Sequence, residues 1–213
     1  MDQVGKYIDS LSTDDNNFKE VIFNGLLKEG AEEDINISLI IFQSKGYAGV
    51  SSFLKLLSDS IKLCTMPDLL PISDSNIFGI YEPQPSKQKT LLKAIRGIHE
   101  NVNIHKKSFT TRELFHDEVT RYGPVKFIIS TNNLITLDDI PGNLKNYTRI
   151  INFDEVKDEN KQYYDYVKNL DDPIEKISEY LKGVLDTDNI FHTHDEEDDE
   201  DDDEENKEII INI

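Results

Sequence analysis

The stretch "SKGYAGVSS" at residues 44–52 has the residue types of a loop that binds phosphate. It follows the apolar run "INISLIIF" and precedes "FLKLLSDSIKLC", an order that predicts a strand, a glycine-containing turn and a helix. In such loops backbone N–H groups surround the phosphates, a lysine contacts the outer ones, and a hydroxyl binds Mg²⁺. The glycines and hydroxyls of this chemistry are present as candidate nucleotide-binding residues: Gly46, Gly49, Ser51 and Ser52.

The position of the phosphate-binding lysine is occupied by Val50. A lysine there makes charged hydrogen bonds of roughly 1.5–3 kcal/mol each, and losing one positioned charge typically lowers a rate by on the order of 10²–10³. Lys45, the second residue of the loop, could replace the lost charge, or it is an ordinary solvated lysine. The stretch is therefore either a phosphate loop without its catalytic lysine or a glycine turn before a helix.

Two further polar residues follow apolar segments directly. Glu82 comes after "NIFGIY" (76–81), and Asn132 comes after "VKFIIST" (125–131). At the carboxyl ends of parallel strands, a carboxylate can bind Mg²⁺ or activate water, and an asparagine can contact water or the outer phosphate. Glu82 and Ser51 are thus the candidate Mg²⁺ ligands if nucleotide binds, although both Glu82 and Asn132 also suit ordinary turns.

The apolar pattern predicts strands that alternate with helices, typical of an α/β fold in which a mostly parallel sheet is covered by helices. Asp172 and Pro173 are typical of a helix start. Helices are predicted at 17–30, 53–61, 88–98 and 171–185, and buried strands at 35–42, 76–81, 125–131 and 147–153.

The segment "NVNIHKKSFTTRELF" (101–115) predicts a hairpin with charge at its tip. His105, Lys106 and Lys107 at such a tip could contact the phosphates of DNA, or they form an ordinary solvated basic turn.

Three regions are expected along the 213 residues: a flexible arm at 1–17, a folded domain at 18–186 and a disordered acidic tail at 187–213. The tail contains an unbroken run of eleven acidic residues, Asp195 to Glu205, which repel one another and cannot form a core. The formal net charge of −19 excludes the basic footprint of a stand-alone nucleic-acid binder.

No apolar run approaches the roughly 18 residues of a membrane helix, and the N-terminus lacks a hydrophobic signal core. The single cysteine, Cys64, excludes a disulfide framework. We therefore expect an intracellular protein that is neither secreted nor membrane-embedded.

Taken together, these motifs resemble the superfamily 3 helicases, in particular the poxvirus-type primase-helicases of large DNA viruses and their phage and plasmid relatives. The resemblance covers about 18–186. It is carried by the ordered set "SKGYAGVSSFLKLLSDSI", "FGIYEPQP", "LLKAIRG", "TTRELF", "VKFIISTNNL", "YTRIINF" and "DDPIEKISEYLKGVL".

The resemblance implies an AAA-like P-loop ATPase core that assembles into rings, with ATP and Mg²⁺ bound between neighbouring subunits. It also implies catalytic roles for Glu82, for Asn132 as the sensor asparagine, and for Arg149, which would reach the phosphates held by the next subunit. A DNA-contacting hairpin would lie where His105 to Lys107 occur.

The chain departs from that family at several positions that matter for catalysis. Val50 replaces the lysine, Thr148 replaces the first arginine of a pair, and two loop positions are changed to Ser44 and Ala48. The sequence therefore predicts a degenerate, vestigial site in an accessory or interaction protein of viral DNA replication, which would pack against an intact helicase or other replication proteins. The alternatives are an active, divergent helicase that uses Lys45, and a protein whose acidic tail binds basic partners.

Overall fold

The computed structural model describes eight stretches of the chain: residues 3–11, 15–31, 35–44, 49–61, 64–66, 76–112, 118–153 and 158–192. Within these stretches the helices are α1 (Gln3–Asp9), α2 (Asp15–Ile22), α3 (Val50–Ile61), α4 (Pro85–Ile98), α5 (Asp158–Val167) and α6 (Pro173–His192). The strands are β1 (Leu39–Ser44), β2 (Cys64–Met66), β3 (Ile77–Tyr81), β4 (Phe109–Arg112), β5 (Glu118–Arg121), β6 (Lys126–Thr131) and β7 (Thr148–Phe153).

Five of the described strands form one parallel sheet in the order β2-β3-β6-β1-β7. Strands β1, β3 and β6 consist almost entirely of buried residues, as expected for a parallel sheet with both faces covered. The remaining two, β4 and β5, pair as an antiparallel hairpin. The predicted α/β fold, a parallel sheet flanked by helices with a P-loop-like core, is confirmed.

Alternate residues of the strands enter two separate cores. Ile40 and Phe42 of β1 face one core, to which α1, α2, α3 and α6 contribute. Leu39 and Ile41 face the other core, which is closed by α4 and by the short 3₁₀ helix Gly142–Tyr147. The period of two along β1 thus places helices on both faces of the sheet.

Two α-helices continue as π-helical turns. Helix α2 extends through Phe23–Leu27, and α4 extends through His99–Ile104. The second extension places the buried residues His99 and Asn103 beneath the amino ends of the strands.

The N-terminal region differs from the expected flexible arm at 1–17. Residues 3–9 form α1, which contacts α5 and α6 and buries Val4, Tyr7 and Ile8. These three residues have the spacing of one helix face, but the polar composition around them hides the signal. The aromatic ring of Tyr7 packs 6.0 Å from that of Tyr164, so the arm belongs to the folded body.

The basic segment also differs from its predicted position. His105, Lys106 and Lys107 lie between the π-helical turn and β4, at the base of the β4–β5 hairpin rather than at its tip. The tip, 113–117, lies outside the described residues. The helix continues six residues past Ile98, which shifts the hairpin along the chain.

The remaining differences are two elements that were not predicted and one helix end. Strand β2, which has only three residues, and helix α5 were not predicted. Helix α6 runs to His192, past the expected domain end at 186, and the acidic residues from 193 onward lie outside the described part. Its start is as predicted, since the backbone N–H of Glu175 donates to Asp172 Oδ1 at 3.2 Å. Among the described residues, none of the helices combines the length and the apolar character that a membrane span requires.

Candidate nucleotide site at the carboxyl ends of the strands

Three of the candidate residues follow strands that are neighbours in the sheet. Strand β6 lies between β1 and β3, and Ser130 of β6 is in register with both Phe42 of β1 and Tyr81 of β3. The carboxyl ends of the three strands therefore stop at a similar level. Glu82 and Asn132 follow β3 and β6, and Ser44 ends β1.

Hydrogen bonds connect these three residues in a chain. Ser44 Oγ donates to Asn132 Oδ1 at 3.2 Å, and the backbone N–H of Asn132 donates to Glu82 Oε2 at 3.3 Å. The backbone N–H of Glu82 in turn donates to the carbonyl of Ser130 at 2.8 Å. The structure thus brings the predicted carboxylate and the predicted sensor asparagine together beside the strand that leads into the loop.

Gln43 is a residue of this edge that the sequence analysis did not single out. Its side chain is buried, and its Nε2 donates to Asn152 Oδ1 at 2.8 Å. Its Oε1 accepts from the backbone N–H of Ile135 at 2.9 Å. Gln43 therefore ties β1 to the end of β7 and to the loop after β6. The sequence signal that could have identified Gln43 was an amide at the end of an otherwise apolar strand.

The loop itself is described only at its end. Lys45, Gly46 and Ala48 lie outside the described residues. Gly49 has a φ of 71°, a left-handed conformation that glycine adopts without steric cost, and its carbonyl accepts from the backbone N–H of Phe53 at 2.9 Å. The loop therefore enters α3 through a glycine turn, as predicted.

Val50 is the first residue of α3 and has only 5% of its surface exposed. It belongs to the core formed with Phe53, Leu54 and Leu57. Ser51 is exposed and Ser52 is half-buried on the same helical turn. The residue at the lysine position thus anchors the helix in the core, while the two hydroxyl residues remain nearer to solvent.

Glu82 has an unusual backbone conformation, with a φ of 43°. A non-glycine residue in the left-handed region costs of order 1–3 kcal/mol, and such residues cluster at functional sites. The conformation turns the chain sharply after β3, so that the exposed carboxylate points back to the N–H of Asn132.

Arg149 does not join this group within one protomer. It is paired with Ile40 near the start of β1, whereas Ser44 at the loop is paired with Phe153, about 13 Å further along the strand. Its Nη1 donates to the carbonyl of Thr148 at 3.1 Å, and it lines a cleft of about 420 Å³ together with Glu20 and Lys28. Arg149 therefore lies at the amino-end edge of the sheet, away from the loop.

Thr148 is buried, and its Oγ1 donates to the carbonyl of Leu144 at 2.8 Å. His105, Lys106 and Lys107 are exposed, also at the amino-end edge. They are thus separated from Glu82 and Asn132 by the length of the sheet.

The described groups provide oxygen ligands but little counter-charge for a polyphosphate. Ser51 and Glu82 have the hydroxyl and carboxylate oxygens that Mg²⁺ accepts in proteins. Within the described part of this edge, residues 43–44, 49–52, 81–82 and 131–133, there is no basic side chain. The described residues also contain no cluster of three or more His, Cys, Asp or Glu that could hold a metal. Oxygen donors are therefore present among the described residues of this edge, whereas a cation that would offset the charge of phosphates is not.

Comparison with known proteins identifies relatives in structure alone. No protein-family model and no curated protein matches the sequence. Two solved structures of the NrS-1 C-terminal region match with TM-scores of 0.55 and 0.52, at 15% and 12% identity over 87% and 85% of this chain. A JCV helicase structure matches at 13% identity, covering 87% of this chain and 60% of its own, with a TM-score of 0.48. That value is too low to establish a shared fold.

The NrS-1 likeness shows a shared fold. This chain spans 51% and 43% of the two NrS-1 chains, so about half of their length or less.

Proposed function

We propose that this chain is a degenerate superfamily 3 helicase-like domain without ATPase activity, which acts as an accessory or interaction protein in viral DNA replication. The observation that carries the proposal is Val50, the residue at the lysine position, which is buried in the core at the start of α3. Valine has no charge that could offset bound phosphates, and its burial shows that this position contributes to the core.

The arrangement around Val50 supports the same proposal. Glu82 and Asn132, which the resemblance proposes as catalytic carboxylate and sensor asparagine, follow neighbouring strands, and the backbone N–H of Asn132 donates to Glu82 Oε2. The fold shared with the NrS-1 C-terminal region is consistent with this origin. A nucleotide bound at this edge would face the negative charge of Glu82. The described residues of the edge include no cation of the kind that normally offsets the charge of the phosphates.

The direct test is calorimetric titration of the full chain with ATP, with and without Mg²⁺. We expect no saturable binding up to about 1 mM, a limit that corresponds to roughly 4 kcal/mol of binding free energy. The variant V50K should gain binding if the loop is a phosphate loop that lacks only its lysine. V50M is the matched control, because it adds a chain of similar length without charge, and it should gain none.

The same titrations separate the proposal from an active divergent helicase. Measurable ATP turnover that disappears in E82Q would overturn the absence of activity. If turnover were also lost in K45A, the active-enzyme alternative with ATP, Mg²⁺ and Lys45 would replace the proposal.

The accessory role has its own test. A helicase encoded in the same genome should form a complex with this chain in size-exclusion chromatography. Coelution that is lost when residues 195–213 are deleted would instead favour a protein that acts through its acidic tail.

A further inference from the structure

The loop that follows β6 exposes two leucines to solvent. Leu134 is 77% exposed and Leu137 is 50% exposed, and they are two of the four exposed large hydrophobic residues in the described part of the chain. Single exposed apolar residues are common on protein surfaces, whereas neighbouring ones mark interaction sites. We call this segment, residues 134–139, the leucine loop.

The leucine loop is held firmly against the body. The backbone N–H of Asn133 donates to Thr131 Oγ1 at 3.0 Å, and that of Ile135 donates to the Oε1 of buried Gln43 at 2.9 Å. Ile135 and Ile140 are both buried in the core that α4 closes. The two leucines are therefore exposed on a segment whose neighbours on either side are anchored.

The short 3₁₀ helix that contains Leu137 is also fixed. The backbone N–H and the Oγ1 of Thr136 donate to Asp139 Oδ2 at 2.8 and 2.9 Å, and the backbone N–H of Asp139 donates back to the carbonyl of Thr136 at 3.0 Å. The bonds from Thr136 lower the pKa of Asp139, so this carboxylate stays ionised at neutral pH. A backbone that is already ordered loses less entropy when a partner binds.

Negative charge surrounds the leucines. The two residues after the second leucine, Asp138 and Asp139, are exposed. The exposed carboxylate of Glu82 lies at the same edge of the sheet, where it accepts from the backbone N–H of Asn132. The described stretch 131–144 contains no lysine, arginine or histidine. A partner that covers the leucines is therefore favoured if it carries positive charge, and two copies of this surface would repel each other.

We infer that the leucine loop binds a basic amphipathic segment of a partner protein, whose apolar side chains cover Leu134 and Leu137 and whose lysines or arginines face Asp138. Large apolar residues on a preordered surface supply most of the energy of a protein interface, while charges at its rim select the partner. The inference rests on the proposed interaction role and adds the place and the chemistry of the partner.

The probe for this surface is a labelled amphipathic peptide of about four helical turns, with leucine on one face and lysine on the other. Fluorescence anisotropy should show saturable binding to the full chain at about physiological salt. A peptide with serine in place of every leucine, and one with glutamate in place of every lysine, should each bind at least about tenfold more weakly. The serine peptide also measures what the acidic residues 195–205 contribute through charge alone.

Substitutions in the loop examine its two parts. L134S/L137S should weaken binding of the leucine–lysine peptide by about tenfold and leave the serine–lysine peptide unaffected. D138N should weaken binding by roughly twofold to fivefold, an effect that disappears at about 1 M salt. The matched controls Y166S and D171N change an exposed apolar residue and an exposed carboxylate elsewhere, and should keep the parent affinity. Because all these residues are exposed, the urea midpoints should equal that of the parent chain.

Three outcomes would overturn the inference. The first is equal affinity of the parent and L134S/L137S for the leucine–lysine peptide. The second is binding to vesicles of neutral phosphatidylcholine that is lost in L134S/L137S, which would assign the leucines to a membrane surface. The third is a dimer in analytical ultracentrifugation that is lost in the same variant, which would assign them to a second copy of this chain.

Peptide binding and coelution with a helicase are separate measurements, so the two proposals can fail independently. Leucine-dependent peptide binding without coelution supports the leucine loop as an interaction surface and contradicts the accessory role with a helicase. Coelution combined with equal peptide affinity in the parent and L134S/L137S supports the accessory role and overturns the inference about the loop.

Discussion

The two edges of the parallel sheet differ in where their hydrogen bonds lie. At the carboxyl-end edge, the polar side chains of Ser44 and Glu82 both bond to Asn132, near the surface. At the amino-end edge, the hydrogen bonds of Asn103 are buried beneath a cleft, and Tyr122 stands above it exposed to solvent.

The two edges therefore differ in whether their polar side chains bond to one another at the surface or form a buried framework. The carboxyl-end edge holds the residues proposed for a nucleotide site, but its described groups bond to one another and include no cation. The amino-end edge has a fixed framework, and its ring and cations remain available at the surface. The following predictions examine each edge in turn.

The largest effect is expected from N103L, which breaks the framework of the amino-end edge. Leucine cannot form the hydrogen bonds that Asn103 makes to the backbone N–H and carbonyl of Val125 and to Ser38 Oγ. A buried polar group that loses its partner costs about 1–3 kcal/mol. We expect a loss of about 3 kcal/mol in the free energy of unfolding, measured by urea denaturation. The control N101A removes one exposed bond to Gly97 and should cost less than about 0.5 kcal/mol. Equal losses in the two variants would contradict the framework role.

A smaller loss is expected from Q43M at the carboxyl-end edge. Methionine keeps the length of the side chain. It cannot accept from the backbone N–H of Ile135 or donate to Asn152 Oδ1, as Gln43 does. The expected cost is about 2 kcal/mol by urea denaturation. Q162M, at an exposed position on α5, is the matched control. An unchanged unfolding midpoint in Q43M would show that the edge is not held by this residue.

The third prediction compares the stability of two variants at Glu82. Its φ of 43° is unfavourable for any residue with a Cβ, so E82G should be more stable than E82A by about 1 kcal/mol. Comparing glycine with alanine separates the backbone from the lost bond to Asn132. If the two variants unfold at the same urea concentration, the turn after β3 carries no strain.

The smallest effect concerns pH and His99, beside the amino-end framework. Burial lowers the pKa of His99 despite the opposing charge of Glu100, and its ring packs 4.6 Å from that of Tyr147. As pH falls below about 6.5, the unfolded chain binds the proton before the folded one does, so stability decreases until the folded pKa is reached.

The measurement for His99 is the urea midpoint between about pH 7.5 and pH 5. H99Q should show a flatter dependence on pH than the parent chain. H105Q, which changes an exposed histidine, is the matched control. An unchanged slope in H99Q would assign the pH dependence to other groups.

Much of the architecture could be predicted from the sequence because the strands are apolar on both faces. The α/β fold, the glycine turn into α3, and the cap of α6 at Asp172 followed from local patterns. Helix α1 was missed because a single turn of apolar residues in a polar stretch becomes meaningful only when α5 and α6 cover it. The hairpin was misplaced because a π-helical extension has no distinct sequence pattern.

For the candidate sites, the sequence alone determined which chemical groups exist: a valine after the second glycine of the loop, a carboxylate after one strand and an asparagine after another. Their proximity was decided by the order of strands, which places β6 between β1 and β3. Tertiary structure also decided that Arg149 lies at the far edge and that Lys106 and Tyr122 line the same cleft. The reason is that residue type is local, whereas the distance between residues far apart in sequence is set by the packing of the whole sheet.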